Sequence, residues 1–290
     1  MSKNVYHPAI PVQLTEEQFI TYMLPYLPVG KRGPKPKLPL FIIFNLILHV
    51  LHTGIQWFNL PIQIDPRTGK KEISYQRVYA HFKRWVSLDV PLDIFIATVK
   101  KLADGGHLDT DILHGDGTCA VAKKGGDNIG RNGHKHHKGD KVIAICDRNR
   151  NIIAPFVAAP GNASEMTLFP NAFKELKKIA KLIGITIAGS VMSLDAGYDS
   201  RANRKEIFNA KMTPNIKENP RNRKGTKRGR PRIYDEKIFK ERFSTIERDF
   251  AWEDKFRRLV IRYERHSCIH YGFKLLAYAL INLRNFCRPI

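Results

Sequence analysis

The pattern of apolar residues changes near residue 110, and this change limits the folds that the chain can adopt. Before about residue 105, apolar residues recur at the three- and four-residue spacing of amphipathic helices. After residue 110, short runs rich in β-branched residues alternate with helical segments. Strands that alternate with helices indicate an α/β fold. We therefore expect an all-helical region over residues 1–105 and an α/β domain over residues 106–290.

The N-terminal region is predicted to contain four helices, at residues 15–27, 40–53, 74–86 and 92–103. Ser74 is a suitable N-cap for the third, which has one apolar face and carries Lys83 and Arg84 elsewhere on its surface. A small helical module with exposed cations is compatible with helix-turn-helix binding of DNA. The alternative is an ordinary amphipathic helix with a solvated charged face.

The order of elements after residue 110 predicts a particular sheet. Strands are expected at residues 111–121, 141–146, 151–158, 190–194 and 212–216, and helices at 164–182 and 200–210. Three consecutive strands, a helix, and then alternating strand and helix is the order of the ribonuclease H-like fold, a mixed sheet flanked by helices. Two further helices follow, at residues 235–258 and 273–286. In the first, Phe239, Phe243, Ile246 and Phe250 form an apolar stripe with Glu247 beside it.

The charge of the chain points to a polyanionic partner. The 49 Lys and Arg residues outnumber the 27 Asp and Glu residues, which leaves a net charge of +22, and nucleic acid is the partner that such an excess favours. Part of it lies in a basic linker with Lys35 and Lys37. A further seven Lys and Arg lie in the insertion 220–232, including Arg228, Arg230 and Arg232. Like charges this dense repel one another unless a polyanion neutralises them. We therefore predict DNA contacts at these residues.

The cysteines and the apolar runs bear on the compartment. The four cysteines are scattered without a CxxC pair, and no N-terminal signal peptide is evident. The longest apolar run, residues 38–51, is shorter than the roughly 20 residues needed to cross a bilayer. We therefore expect a cytoplasmic, nucleoid-associated protein with no membrane partner.

Three acids are the candidate catalytic residues. Asp116 lies between two glycines in one predicted strand, Asp195 directly follows another, and Glu247 lies on a C-terminal helix. Convergent carboxylates can hold two Mg²⁺ ions about 3.5–4 Å apart, which stabilise both the attacking and the leaving oxygen of a phosphoryl transfer. The alternatives are an ordinary Gly-Asp-Gly turn at Asp116 and a surface glutamate at position 247. Asp199 competes with Asp195, but it is better placed to start the next helix, where its charge offsets the positive helix end.

A histidine cluster at His134, His136 and His137 allows two interpretations. Zinc binding is one, but no cysteine or carboxylate stands at a usual ligand spacing, and Lys135 and Lys138 are neighbours. A basic loop that contacts DNA is the interpretation that we favour.

The chain resembles the DDE transposases of bacterial insertion sequences, in the broad group of the insertion-sequence four and five families. The likeness extends from about residue 35 to the end. Three motifs carry it: residues 115–118 (GDGT), residues 195–200 (DAGYDS) and residues 247–252 (ERDFAW), the last followed by the basic and aromatic residues at 257–264. The resemblance implies that Asp116, Asp195 and Glu247 form the catalytic triad on a ribonuclease H-like core. It also implies Mg²⁺ or Mn²⁺ as the cofactor, with two ions.

The expected reaction is cleavage at the ends of a mobile element and joining of those ends to target DNA. The partner is double-stranded DNA, and we expect a homo-oligomer in the active complex. Lys255, Arg257 and Arg258 are predicted to hold phosphates near Glu247. Part of the group has tyrosine, arginine and lysine at fixed distances from the glutamate, and this chain departs from that pattern. The alternatives are a nuclease on the same core that cuts without joining, and a DNA-binding protein with a decayed catalytic site.

Overall fold

The structure is a computed structural model that describes residues 8–28, 38–133, 136–220 and 232–287. The helices are α1 (Glu16–Tyr22), α2 (Leu40–Thr53), α3 (Tyr75–Ser87), α4 (Val90–Asp104), α5 (Glu165–Ile183), α6 (Arg201–Asn209), α7 (Glu236–Ser244), α8 (Ile246–Glu253), α9 (Arg257–Val260) and α10 (Ser267–Leu283). The strands are β1 (Ile112–Ala122), β2 (Gly130–Asn132), β3 (His137–Asp147), β4 (Val157–Pro160), β5 (Val191–Leu194), β6 (Thr213–Ile216) and β7 (Ile261–Arg262). Short 3₁₀ turns cover Leu24–Tyr26, Trp57–Asn59 and Ala196–Tyr198.

The described chain divides into two compact units. One contains the described residues up to Thr98 together with those from Glu253 onward, and the other is Val99–Trp252. The first break lies close to the predicted boundary at residue 105. The second divides the predicted catalytic domain, because the C-terminal residues cluster with the N-terminal helices. Within the described residues, no helix combines the length and the apolar character that crossing a bilayer requires.

Aromatic packing forms the core of the first unit. Phe44 of α2 lies 5.8 Å from Trp85 of α3, and Phe82 of α3 lies 4.2 Å from Phe273 of α10, measured between ring centroids. The predicted N-cap of α3 is present, since Ser74 Oγ accepts the backbone N–H of Arg77. Gly54 ends α2 in the left-handed conformation that favours glycine. Local sequence signals therefore set the ends of α2 and α3.

The second unit is built on one mixed sheet. Its strands follow the order β2-β3-β1-β5-β6, with β4 also paired to β3. β3 is antiparallel to β1, β2 and β4, whereas β5 is parallel to both β1 and β6. Helices α5, α6 and α7 pack on these strands. An antiparallel meander followed by two parallel strands is the ribonuclease H-like arrangement, and the predicted fold class is confirmed.

Two details of the meander differ from the prediction. Residues 151–158 were expected to form one strand, but only Val157–Pro160 pairs with β3, and Ile152 makes a single bridge to Cys146. Pro155 lies between these two points, and proline cannot donate a ladder hydrogen bond. The three-residue strand β2 has the sequence Gly-Arg-Asn, which carries no strand signal. Pairing with β3 alone accounts for it.

The predicted helix over residues 235–258 is broken at Thr245. The backbone there has φ −110° and ψ −90°, and α7 ends before this residue while α8 begins after it. The predicted apolar stripe is wrong for the same reason, since Phe243 is 58% exposed. Ile246 is the one stripe residue that is buried, and the other buried residues of α7 and α8 are Arg242, Asp249, Trp252 and Glu253. Glu247, which was predicted to lie beside this stripe on one continuous helix, is exposed on α8.

Candidate active site

Asp116, within β1, and Asp195, directly after β5, lie beside each other on two adjacent parallel strands. β1 and β5 pair with Ile112 opposite Val191, an offset of 79 residues. Asp116 and Asp195 are separated by the same 79 residues, so continuing the register places one beside the other. Asp195 follows the last residue of β5 and begins a 3₁₀ turn, in which its side chain accepts the N–H of Gly197 at 2.7 Å. The carboxyl ends of parallel strands are where α/β sheets usually bind ligands.

Glu165 completes a cluster of three carboxylates. It is the first residue of α5, and one ligand oxygen from each of Asp116, Glu165 and Asp195 lies within 4.8 Å of the other two. Gly117 makes room for it, because a Cβ at that position would lie 2.8 Å from the Glu165 carboxyl group. Glu165 was not among the residues predicted from the sequence. The available signal was an acid in the first turn of a helix that directly follows the meander.

Arg242 of α7 contacts the cluster directly. Its Nη1 donates to Asp116 Oδ2 at 2.7 Å, and its side chain is only 7% exposed. The guanidinium group also lies 5.5 Å from the ring centroid of Phe239 and 5.6 Å from that of Phe243. These rings shield the cation from water and fix its position. Glu165 has a cationic neighbour as well, since Lys141 Nζ lies 3.0 Å from its Oε1.

Burial raises the pKa of Asp116 to about 6. The charge of Arg242 and the N–H of Gly117 oppose this shift, while Asp195 and Glu165 add to it. The negative charge of Asp116 is therefore disfavoured, chiefly by burial, even with Arg242 present. A divalent cation would offset that charge, and carboxylate oxygens are the ligands that Mg²⁺ and Mn²⁺ prefer. The residues present thus fit a metal site formed by Asp116, Glu165 and Asp195.

Two buried polar groups lie close to the acids in the described structure. Tyr198 is fully buried with no hydrogen-bond partner for its hydroxyl among the described residues, and its ring contacts Phe169 edge-on at 5.9 Å. Burial raises the pKa of Tyr198 well above its ordinary value, and the charges of the three acids add to the shift. His114 lies two residues before Asp116 on β1, and burial lowers its pKa to about 4. Both groups are therefore neutral at physiological pH.

Glu247 lies on α8 with its side chain exposed, and it is not a member of the cluster among the described residues. The helix break at Thr245 separates its orientation from that of α7. The structure thus brings together two of the three predicted acids and adds Glu165. The role of Glu247 remains a prediction from the family resemblance.

Asp199 has a structural environment different from the one expected. Its side chain is 1% exposed and accepts from Arg204 Nε at 3.0 Å and from Arg232 Nη1 at 2.6 Å. It also accepts the N–H of Asn219 at 3.0 Å. Ser200, not Asp199, caps α6. The expectation of a modest helix-start contribution was therefore wrong, because Asp199 holds two arginines in place.

The predicted DNA-binding cations fall into three groups. Lys83, Arg84, His136, Lys138, Lys255 and Arg257 are exposed, and His137 is half-buried. Arg232 is paired with Asp199, and the guanidinium of Arg258 is 2.6 Å from Glu264 Oε1 in a side chain that is 9% exposed. These two arginines therefore also stabilise the fold through ion pairs, and their part in DNA binding stays a prediction. Lys35, Lys37, Arg228, Arg230, His134 and Lys135 lie outside the described residues.

No second group of metal ligands emerges in the described part of the chain. The three acids are the one set of His, Cys, Asp or Glu side chains there with ligand atoms this close. His136 and His137 are not members of such a set. The four cysteines are all free.

The mixed sheet has ribonuclease H order, and carboxylates gather beside its central parallel strands. This combination defines a class of enzymes that act on the phosphodiesters of nucleic acids. A family model described as a transposase DDE domain matches residues 105–280. The match spans more than half of the chain, and the chain therefore belongs to this family.

Comparison with solved structures finds more distant likenesses. The complex titled "Mos1 transposase paired-end complex with left transposon end" is 10% identical with a TM-score of 0.27, and the match covers 64% of this chain and 61% of that chain. A pre-cleavage Mos1 transpososome is also 10% identical, with a TM-score of 0.28 and coverage of 87% and 80%. The chain thus spans about three fifths of the length of the first of these proteins. No curated protein matches the chain.

Proposed function

We propose that this protein is the transposase of a bacterial insertion sequence of the four and five group, which cuts DNA at the element ends and joins those ends to target DNA. The observation that carries the proposal is the cluster of Asp116, Glu165 and Asp195 on a ribonuclease H-like sheet in a chain of the DDE family. Bound Mg²⁺ or Mn²⁺, as a pair of ions, would lower the pKa of a water nucleophile and stabilise the charge that develops on phosphate.

The residues of the chain have separable tasks in this proposal. Asp116, Asp195 and Glu165 hold the metal, and the Gly197 N–H orients Asp195. Arg242 neutralises Asp116 in the structure as it stands, so cation binding has to weaken that contact. Its guanidinium group is then placed to hold a phosphate oxygen beside the acids.

The partner and the assembly follow from the proposed reaction. Joining both element ends to one target calls for two active sites, so we propose a homo-oligomer on double-stranded DNA in the bacterial nucleoid. A strand-transfer assay with oligonucleotides that carry the element ends tests this function. The ends are found by reading the flanking DNA for terminal inverted repeats. Cleavage without joining would identify a nuclease, and DNA binding without either reaction would identify a decayed copy.

The third metal ligand is tested by comparing Glu165→Gln with Glu247→Gln. We expect Glu165→Gln to weaken Mn²⁺ binding by the DNA-free protein about tenfold or more, because one of three charged ligands is lost. Glu247→Gln should leave that affinity within about twofold, since the side chain lies outside the cluster. The family resemblance implies that Glu247→Gln should still lower strand joining. Isothermal titration with Mn²⁺ and the joining assay measure the two effects.

Glu175→Gln is the matched control for these two variants. It makes the same Glu→Gln change on α5, the helix that carries Glu165, and the described partner of Glu175 is the surface residue Lys178. We expect it to leave Mn²⁺ affinity and joining unchanged. An equal loss of Mn²⁺ affinity in Glu247→Gln and Glu165→Gln would contradict the proposed ligand set.

Salt dependence tests the DNA-binding cations. Because Lys and Arg release counterions from DNA, the logarithm of affinity should fall linearly with the logarithm of salt concentration, with a slope of about −0.9 per phosphate contacted. Replacing both Arg228 and Arg230 by alanine should reduce that slope by up to about two units. Arg232 is left intact because Asp199 needs it. Fluorescence anisotropy at several salt concentrations measures the slope.

Replacing Lys178 and Lys181 on α5 removes the same charge at exposed residues outside the predicted set. This double variant should keep the parental slope. If the two double variants change the slope equally, net charge and not the basic insertion governs DNA binding.

A further inference from the structure

Both carboxylate oxygens of Asp116 are engaged within the protein. Oδ1 accepts the N–H of Gly117 at 2.8 Å, and Oδ2 accepts Nη1 of Arg242 at 2.7 Å. The first contact joins neighbouring residues of β1. The second comes from a long side chain, which can leave by rotating about its own bonds. Because a guanidinium group at Oδ2 repels any divalent ion that shares this oxygen, metal binding there depends on Arg242 moving away.

The cation beside Glu165 is anchored in a different way. Lys141 Nζ lies 3.0 Å from Glu165 Oε1 and also donates to the backbone carbonyl of Ala163 at 3.1 Å. The second bond ties Lys141 to the main chain that leads into α5. Arg242 has no such anchor, because its bond to Asp116 is the one hydrogen bond that its side chain makes among the described residues. Of the two cations, Arg242 is therefore the one that an outside charge can displace.

The guanidinium group of Arg242 is also incompletely satisfied. Its side chain is 7% exposed, and its Nε has no hydrogen-bond partner within the described structure. A buried donor in this state costs free energy, and an anion that accepts from it recovers that cost. Phosphate can accept two parallel bonds from a guanidinium group, whereas Asp116 accepts one. A phosphodiester of DNA therefore has the right chemistry to compete with Asp116 for Arg242.

Two aromatic rings hold the guanidinium group in its place at Asp116. They belong to Phe239 and Phe243, and their centroids lie 5.5 Å and 5.6 Å from it. Phe243 is 58% exposed, so one of the two walls borders open solvent. An anion can reach the guanidinium group from that side, and the ring favours the contact with Asp116 while no anion is bound.

We propose that Arg242 is an autoinhibitory latch on the acid cluster. In the protein without DNA, Arg242 occupies Asp116 and keeps the affinity for divalent metal low. A phosphate of bound DNA draws the guanidinium group away, and only then is the complete set of acids available. The latch rests on the proposed function, which supplies the DNA, and it adds a regulation of that site. Because the acids bind metal well only beside DNA, the free protein does not hold an activated site.

The test measures Mn²⁺ binding by the full-length protein without DNA, by isothermal titration. Arg242→Met keeps an apolar stem and removes the charge. We expect its Mn²⁺ affinity to be about tenfold or more above that of the parent, because a charge-assisted hydrogen bond no longer competes. A purely structural role of Arg242 predicts the opposite sign, since a loosened site binds metal less tightly. Added duplex DNA, after subtraction of Mn²⁺ binding to DNA alone, should raise the parental affinity much more than that of Arg242→Met.

Phe243→Ala is the second variant, chosen because Phe243 is exposed and its removal leaves the core intact. It takes away one wall of Arg242, so we expect the Mn²⁺ affinity to rise by about twofold to fivefold. Lys240→Met is the matched control, since it removes one positive charge from the same helix at a residue that pairs with Glu236 on the surface. It should keep the parental affinity within about twofold.

Urea unfolding shows which variant decides. Arg242→Met decides if it is folded, and Phe243→Ala decides if it is not. An Mn²⁺ affinity in the deciding variant that is equal to or below that of the parent would overturn the latch. An equal rise in Lys240→Met would also overturn it, because net charge alone would then set the affinity.

The latch and the transposase function fail separately. Strand joining that requires Asp195, together with a parental Mn²⁺ affinity in the deciding variant, would remove the latch and leave the function. A higher Mn²⁺ affinity in that variant of a protein that neither cuts nor joins DNA would do the reverse.

Discussion

Replacement of Asp195 by asparagine is expected to lower both DNA cleavage and strand joining about 10³-fold or more. The variant keeps the shape of the side chain and its hydrogen bond to Gly197 but loses one negative ligand of the acid cluster. Metal-supported stabilisation of a phosphoryl transition state is worth several kcal/mol, and each 1.36 kcal/mol is about tenfold in rate. The strand-transfer assay measures this loss.

The companion variant Asp116→Asn should behave alike, and the double variant should be little worse than either single one, because the acids act on one metal site. Duplex DNA binding, measured on the same preparations, should persist or improve, since removing a carboxylate reduces repulsion of phosphate. Joining at the parental rate by Asp195→Asn would show that the second acid has been misassigned.

Asp199→Asn should lower the free energy of unfolding by about 3 kcal/mol. The neutral amide leaves the guanidinium groups of Arg204 and Arg232 without their shared anion. The estimate is at the lower end of the range for buried pairs because Arg232 is 32% exposed. Urea unfolding of the parent and the variant gives the difference.

The pH dependence of this difference has a definite sign. Burial alone would raise the pKa of Asp199, but hydrogen bonds from Asn219, Arg204 and Arg232 bring it below its ordinary value. The stabilisation is therefore fully present above the ordinary carboxyl pKa of about 3.9, and it is lost as the pH falls further through the folded-state value. The gap between parent and variant should shrink in that acid range.

Glu206→Gln is the control for Asp199, since it neutralises an exposed acid of α6 that pairs with Lys177 at 3.4 Å. Exposed pairs contribute about 0–1 kcal/mol, so this variant should unfold almost with the parent. Equal stability of Asp199→Asn and the parent would mean that the paired arginines do not depend on Asp199.

The sequence by itself determined those features that depend on neighbours along the chain. Ser74 caps its helix as a local signal, and the element order predicted the ribonuclease H-like sheet. Asp116 and Asp195 were recognisable because each stands in or directly after an apolar strand, where a parallel sheet brings side chains to one edge. These predictions needed no knowledge of which distant residues meet.

Tertiary structure alone decided the remaining contacts of the site. Glu165 joins Asp116 because Gly117 leaves space for its carboxyl group. Arg242 reaches Asp116 across 126 residues of chain. The break at Thr245 ended the continuous helical spacing on which the predicted apolar stripe beside Glu247 depended. Strand register and the packing of side chains far apart in the chain set these contacts, and helix or strand periodicity describes only one element at a time.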